Sequence, residues 1–227
     1  MGLGYGVQKG ISRDVATDLP EDVPSPIDLR TMADAQAWAR LAMEKRPWRE
    51  EFFDVIIQEI QAHHIGNPSV LELGSGPGFF ARRILEAMPS ARYSALDFSS
   101  AMHTLAKERL GPLSARMQFI QANFKEQHWS ANLPRFDAVV AIQSVHEVRH
   151  KRHAPSLYRA IRELLQSEGV FWMCDHILGE NGMNNCDLYM TAQEHELALS
   201  AGGFSSIRML LEKHGLILFR AATGGHA

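Results

Sequence analysis

From residue 69 onward the chain alternates between short apolar runs and helical stretches, and that alternation limits its fold more than any other feature. Apolar runs fall at 69–73, 92–96, 116–121, 136–142 and 169–175, with helical patterns at about 78–88, 99–110 and 153–166 between them. The runs lack the every-other-residue polarity of a half-exposed strand, so both of their faces must be covered. Strands that alternate with helices in this way form a parallel sheet with helices on both sides, an α/β fold. Later, "TAQEHELALSAGGF" (191–204) reads as a helix opened by a capping box, Thr191 with Glu194. "FSSIRMLL" and "HGLILFRA", joined by "EKHG", then read as a closing antiparallel hairpin.

Upstream of the alternation, residues 1–30 are rich in Gly, Pro and acid and read as a flexible or surface-draped leader. Residues 31–46 form a helix with Thr31 as N-cap, and residues 47–65 a second helix with Pro47 at its first position. Together, 31–65 are expected to make a helical cap or lid over a main domain at 66–222. The formal net charge is −3 with no basic stripe, so a nucleic-acid partner is not expected. The two cysteines, Cys174 and Cys186, make no disulfide framework and suit a reducing compartment. No run approaches the roughly eighteen apolar residues of a membrane span, and the N-terminus has no signal-peptide pattern. A cytoplasmic protein without membrane attachment is the expectation.

The stretch "VLELGSGPGFFARRI" (70–84) is an apolar strand, a glycine turn and a helix start. Open parallel sheets bind ligands at such a turn, beyond the carboxyl ends of their strands. The glycines fall as G-x-G-x-G, at Gly74, Gly76 and Gly78, where a dinucleotide fingerprint has G-x-x-G in its second half. Glu72, just before the turn, suits a cationic amine, and the loop amides are expected to face a carboxylate. S-adenosylmethionine carries both groups and no phosphate. Asp97, nineteen residues past Gly78, ends the second strand and suits the two hydroxyls of a ribose. Phe98 can pack on an adenine face, and Asn123 can pair with an adenine edge.

With these residues in place the chain resembles the class I S-adenosylmethionine-dependent methyltransferases, of the small single-domain kind that act on small molecules. "LELGSGPG" matches that family's glycine motif, "ALDFS" its ribose-binding acid motif and "QANF" its third motif. "FDAVVAIQSVHEV" and "LLQSEGVFWMCDHI" match its fourth and fifth strands. The resemblance covers roughly residues 65 to 221. It implies a doubly wound, mostly parallel seven-stranded sheet with the last strand reversed. It also implies that S-adenosylmethionine is held by Glu72, Gly74, Gly76, Gly78, Asp97, Phe98, Asn123, Phe124 and Gln143. The family most often has Asp where Asn123 stands.

Two features compete near the end of the fourth strand. "HEVRH" (146–150) has the letters of a zinc-hydrolase motif, but that motif needs a helix and here follows a strand directly, so no metal site is expected. His146 and Glu147 instead stand where an acceptor should lie, and His176 holds the equivalent place after the fifth strand, beside Asp175. His146 is the first candidate for a general base, with Glu147 and His176 behind it. Trp38, Trp48, Tyr189 and Met183 are candidate walls of the acceptor pocket. The expected activity is methyl transfer to a small molecule. The rival readings are a protein or RNA methyltransferase and a catalytically idle cofactor-binding subunit.

Overall fold

The computed structural model describes residues 21–64 and 66–224; residues 1–20 of the expected leader lie outside the described residues. Seven strands form one sheet: β1 (Ser69–Leu73), β2 (Arg92–Asp97), β3 (Met117–Gln121), β4 (Phe136–Ile142), β5 (Leu165–His176), β6 (Ser206–Lys213) and β7 (Leu216–Ala222). Their order across the sheet is β3-β2-β1-β4-β5-β7-β6. The pairs from β3 to β5 are parallel, and β7 runs antiparallel to both β5 and β6. The fold is therefore the mostly parallel seven-stranded α/β sheet with one reversed strand, as expected.

The helices are α1 (Met32–Lys45), α2 (Arg49–His63), α3 (Phe79–Ala87), α4 (Ser100–Leu110), α5 (Ala154–Glu163) and α6 (Ala192–Ala201). Phe52, Phe53, Ile56, Ile57 and Ile60 put α2 on one face of the sheet, where α3 and α4 also pack. α5 and α6 cover the other face through Leu157, Tyr158, Ile161, Ala198 and Leu199. Caps form where the sequence signals them. Thr31 Oγ1 accepts from Asp34 N at 3.2 Å, and Ser99 Oγ accepts from Met102 N at 3.1 Å. Thr191 and Glu194 form the reciprocal box at the start of α6.

The departures have physical causes. Helix α2 starts at Arg49, because Arg46 to Trp48 make the turn out of α1, with Arg49 N donating to Arg46 O at 3.1 Å. Helix α5 stops at Glu163 and β5 begins at Leu165, where helix had been expected to run to 166. Leu165 already pairs with Phe136, and the ladder resumes only at Val170 with Ala138, so the polar "QSE" bulges outward. The β6–β7 turn is tighter than "EKHG" suggested. Only His214 and Gly215 lie between the strands, at φ 50° and 73°, the two left-handed residues of a type I′ hairpin.

Candidate functional site

β1 is the switch point of the sheet. The chain leaves it toward β2 on one side, and β4 pairs on the other, so a crevice opens beyond the carboxyl ends of β1 and β4. The glycine loop floors this crevice. Gly74 N and Ser75 N both donate to Leu96 O, at 2.8 and 3.0 Å, and Ser144 Oγ donates to Leu73 O at 2.7 Å. A Cβ on Gly74, which sits at φ 67°, would lie 2.5 Å from the Ser144 Cβ. At Gly76, φ 53°, a Cβ would meet no protein atom within 4 Å and would project into open space. Gly78 caps α3 from behind the loop and does not line the crevice; a Cβ there would press on Ala106 of α4 at 3.2 Å. Above the loop is a cavity of about 610 Å³, roofed by residues 23–29 and by Trp38, Arg46 and Arg49.

Two acids mark one end of this cavity. Glu72 is buried and accepts from Tyr93 Oη at 2.5 Å. Burial pushes its carboxyl up to about 8, with the Tyr93 hydrogen bond opposing and Asp97 adding to the rise. Asp97 accepts from Gly76 N through Oδ2 at 2.8 Å and from Ser99 N through Oδ1 at 2.9 Å. Burial lifts it to about 6 against those bonds. Each Asp97 oxygen keeps a lone pair for a further donor. Phe98 and Phe124 line the cavity beside it, and the Arg30 guanidinium lies 5.1 Å from the Phe98 ring centre. Asn123 does not line the cavity. Its Oδ1 accepts from Lys125 N and its amide donates to Glu126, so the side chain closes the turn after β3.

His146, Glu147, His176, Gln143 and Tyr189 gather at the other end. The sequence set Asp175 beside His176, but the structure pairs it with His146. Asp175 Oδ1 accepts from His146 Nδ1 at 2.7 Å and Oδ2 from His146 N at 2.8 Å, while His176 N also donates to Oδ1 at 2.7 Å. Glu147 Oε1 stands 3.3 Å from His146 Nε2. Burial alone would discharge the ring. Asp175 and Glu147 outweigh it and raise His146 to about 10, so the resting ring is an imidazolium. Asp175, 1% exposed, is held well below the usual carboxylate range despite its burial. His176 goes the other way, down to about 3, through burial and the nearby His146, Arg46 and Arg49 charges, which outweigh Asp175. Its neutral Nε2 accepts from the Gln143 amide at 2.8 Å, which leaves it poorly placed as a base.

"HEVRH" is not helical in the way a zinc motif needs. Val145–Val148 make one 3₁₀ turn, Arg149 at φ 66° reverses the chain, and His150 Nδ1 accepts from Arg152 N in the next turn. The main residue that sequence reading missed is Arg49. It is 4% exposed and lines the cavity, and no carboxylate pairs with it among the described residues. Burial and the neighbouring Arg46 lower it to about 10. Its position at the first residue of α2, ahead of Glu50 and Glu51, carries no local signal that it turns inward. The loop amides also correct an expectation. Those of Gly74, Ser75, Gly76 and Gly78 all donate within the protein, so none waits for a carboxylate.

Comparison with known proteins bears on this arrangement. Residues 70–169 match the family described as "Methyltransferase domain". A malonyl-[acyl-carrier protein] O-methyltransferase of Paenibacillus sp. is 26% identical over 72% of this chain. A carboxy-S-adenosyl-L-methionine synthase of Nautilia profundicola is 24% identical over 60% of it. This chain spans 64% and 56% of those relatives' lengths. In fold it is similar to human N-acetylserotonin methyltransferase, with TM-score 0.66, 15% identity, 86% of this chain and 57% of that one.

Proposed function

We propose that the chain carries a class I S-adenosylmethionine-dependent methyltransferase domain and uses that cofactor to methylate a small molecule bound beside His146. One observation carries the reading. A buried carboxyl, Glu72, and a buried guanidinium, Arg49, face one cavity without pairing with each other. Neither meets an opposite charge in the protein: Glu72 has only the Tyr93 hydroxyl and Arg49 has no carboxylate among the described residues, and a zwitterionic amino-acid end supplies both partners. Glu72 holds the ammonium, giving up its proton as it does so, and Arg49 holds the carboxylate. Asp97 takes the ribose hydroxyls, with Phe98 and Phe124 against the base. A pyrophosphate fits poorly, because Glu72 lies beside the loop and the loop amides are already used.

When bound, S-adenosylmethionine supplies a methyl group activated by its positive sulfur, open to in-line attack by a nucleophile. The protein's part is to align the acceptor and exclude water. The roof formed by residues 23–29 and α1 limits the cavity to a molecule that can be enclosed, which supports a small acceptor over a polymer. Asp175 fixes the His146 ring through Nδ1. At rest Glu147 occupies Nε2 and keeps it protonated. An acceptor that takes Glu147's place leaves one carboxylate on the ring instead of two. The ring then gives up its Nε2 proton to solvent before the cavity is sealed. The neutral Nε2 takes the acceptor's proton as the bond from acceptor to methyl carbon forms and the bond from carbon to sulfur breaks. Glu147 has Arg149, 3.4 Å away, to turn to.

Calorimetry with S-adenosylhomocysteine and with NAD tests the cofactor side. The first should bind and the second should not, with Arg49→Ala and Asp97→Ala each weakening binding by about 1–3 kcal/mol. Binding of NAD instead, or unchanged affinity in both variants, would overturn the reading. On the acceptor side, His146→Ala should lower turnover by roughly 10²–10⁴ and leave S-adenosylhomocysteine affinity intact.

A further inference from the structure

A second depression, of about 680 Å³ and more open to solvent, adjoins the cavity. It lies between the α1–α2 turn, the loop after β5 and the β6–β7 turn. Arg46, His176 and Met183 line both spaces, so the two communicate. The charged side chains on its wall are Lys45 and Arg46; no Asp or Glu lines it. Of the acids close by in the chain, Glu50 is committed to Arg83 at 2.6 Å and Glu51 to Lys213 at 2.8 Å, while Glu44 and Glu180 line neither space. Lys45 and Arg46 form no ion pair among the described residues. Trp48 packs on His214 with ring centres 4.8 Å apart and gives the groove a flat aromatic wall.

This local excess of cation stands against a chain whose formal net charge is −3, so it does not follow from composition. His176, at the junction, is kept neutral mainly by burial, with the charges of His146, Arg46 and Arg49 adding to it. A solvated surface gains nothing from setting unpaired cations together, whereas an oxyanion is matched by an arginine fork with an ammonium beside it. Resting on the methyltransferase reading, we infer that this groove binds an anionic oxyacid group of the acceptor, carboxylate or phosphate, on Arg46 and Lys45. The rest of the acceptor then passes His176 so that its reacting atom reaches His146. The acceptor is thus a small acid that carries its charge away from the atom to be methylated.

The test is a calorimetric titration of the protein saturated with S-adenosylhomocysteine, at low ionic strength, with succinate, inorganic phosphate and pyrophosphate. At least one anion should bind saturably, and its affinity should fall tenfold or more in the Lys45→Glu, Arg46→Glu double variant. Stronger binding of pyrophosphate than of succinate identifies a phosphoryl group, and the reverse order a carboxylate. Arg46→Gln serves if the double variant does not fold, with a smaller loss in the same direction. No saturable binding of any of the three anions, or equal affinity in the variants, would overturn the inference. If S-adenosylhomocysteine itself fails to bind, the methyltransferase reading falls, and the titration of the free protein still decides whether the groove takes an oxyanion.

Discussion

Glu72 shows how a single side chain ties binding to stability. Its carboxyl is 3% exposed and titrates near 8, mainly because burial penalises the charged form. A carboxyl raised in the folded state makes the ligand-free protein less stable as pH rises from the ordinary Glu range near 4.5 through about 8. Glu72→Gln removes that loss while keeping the shape and the Tyr93 hydrogen bond. The variant should therefore match the wild type in thermal midpoint near pH 5 and exceed it at pH 8.5, while binding S-adenosylhomocysteine more weakly. A wild type whose midpoint leads at both pH values would refute the account. The acid was legible from its place before the glycine turn. Its proton was not, since that depends on Tyr93 and on the helices that seal the cavity. Asp175 was likewise visible as a residue, but its partner was not. Neighbours in sequence suggested His176, whereas the strand order sets β5 beside β4 and so brings Asp175 to His146.

At the scale of elements, the strands were legible because each is an apolar run of the right length, and the caps because their side chains act locally. The end of α5 was not, since "LLQSEG" suits a helix end by propensity and becomes strand only through the pairing of Leu165 with Phe136. The glycine motif was legible as a motif, though its three positions do different work. Gly74→Ala and Gly76→Ala both place a side chain at positive φ, at about 1–2 kcal/mol each. Gly74→Ala also drives a Cβ into Ser144, adding about 1–3 kcal/mol of overpacking. Urea denaturation should rank Gly74→Ala as clearly the less stable of the two, whereas Gly76→Ala should mainly weaken cofactor binding. Equal urea midpoints would show that the loop moves aside, and that the close approach at Gly74 is unimportant.

For the molecule as a whole, the least legible feature is the segment at 21–30, whose composition suggests only a leader. In the structure it crosses the mouth of the cavity. Arg149 donates to Val23 O and Pro24 O, Ser99 Oγ donates to Leu29 O, and Asp22 pairs with Arg152 at 2.7 Å and with His153 at 2.8 Å. These bonds bridge residues more than a hundred apart in sequence, or seventy in the case of Ser99, and no local pattern encodes them. If this strap and α1 act as a lid, amide exchange across residues 23–45 should slow when S-adenosylhomocysteine binds. Identical exchange with and without it would mark them as a fixed roof. The order of the strands has a separate consequence, for synthesis. β7 is the last strand among the described residues, yet it lies between β5 and β6. A ribosome must therefore deliver the chain through Ala222 before β5 gains its second neighbour or β6 gains any. Until then, the apolar rim of β5 is open to pairing with other nascent chains, so the exposed edge during synthesis is one that lies inside the finished sheet.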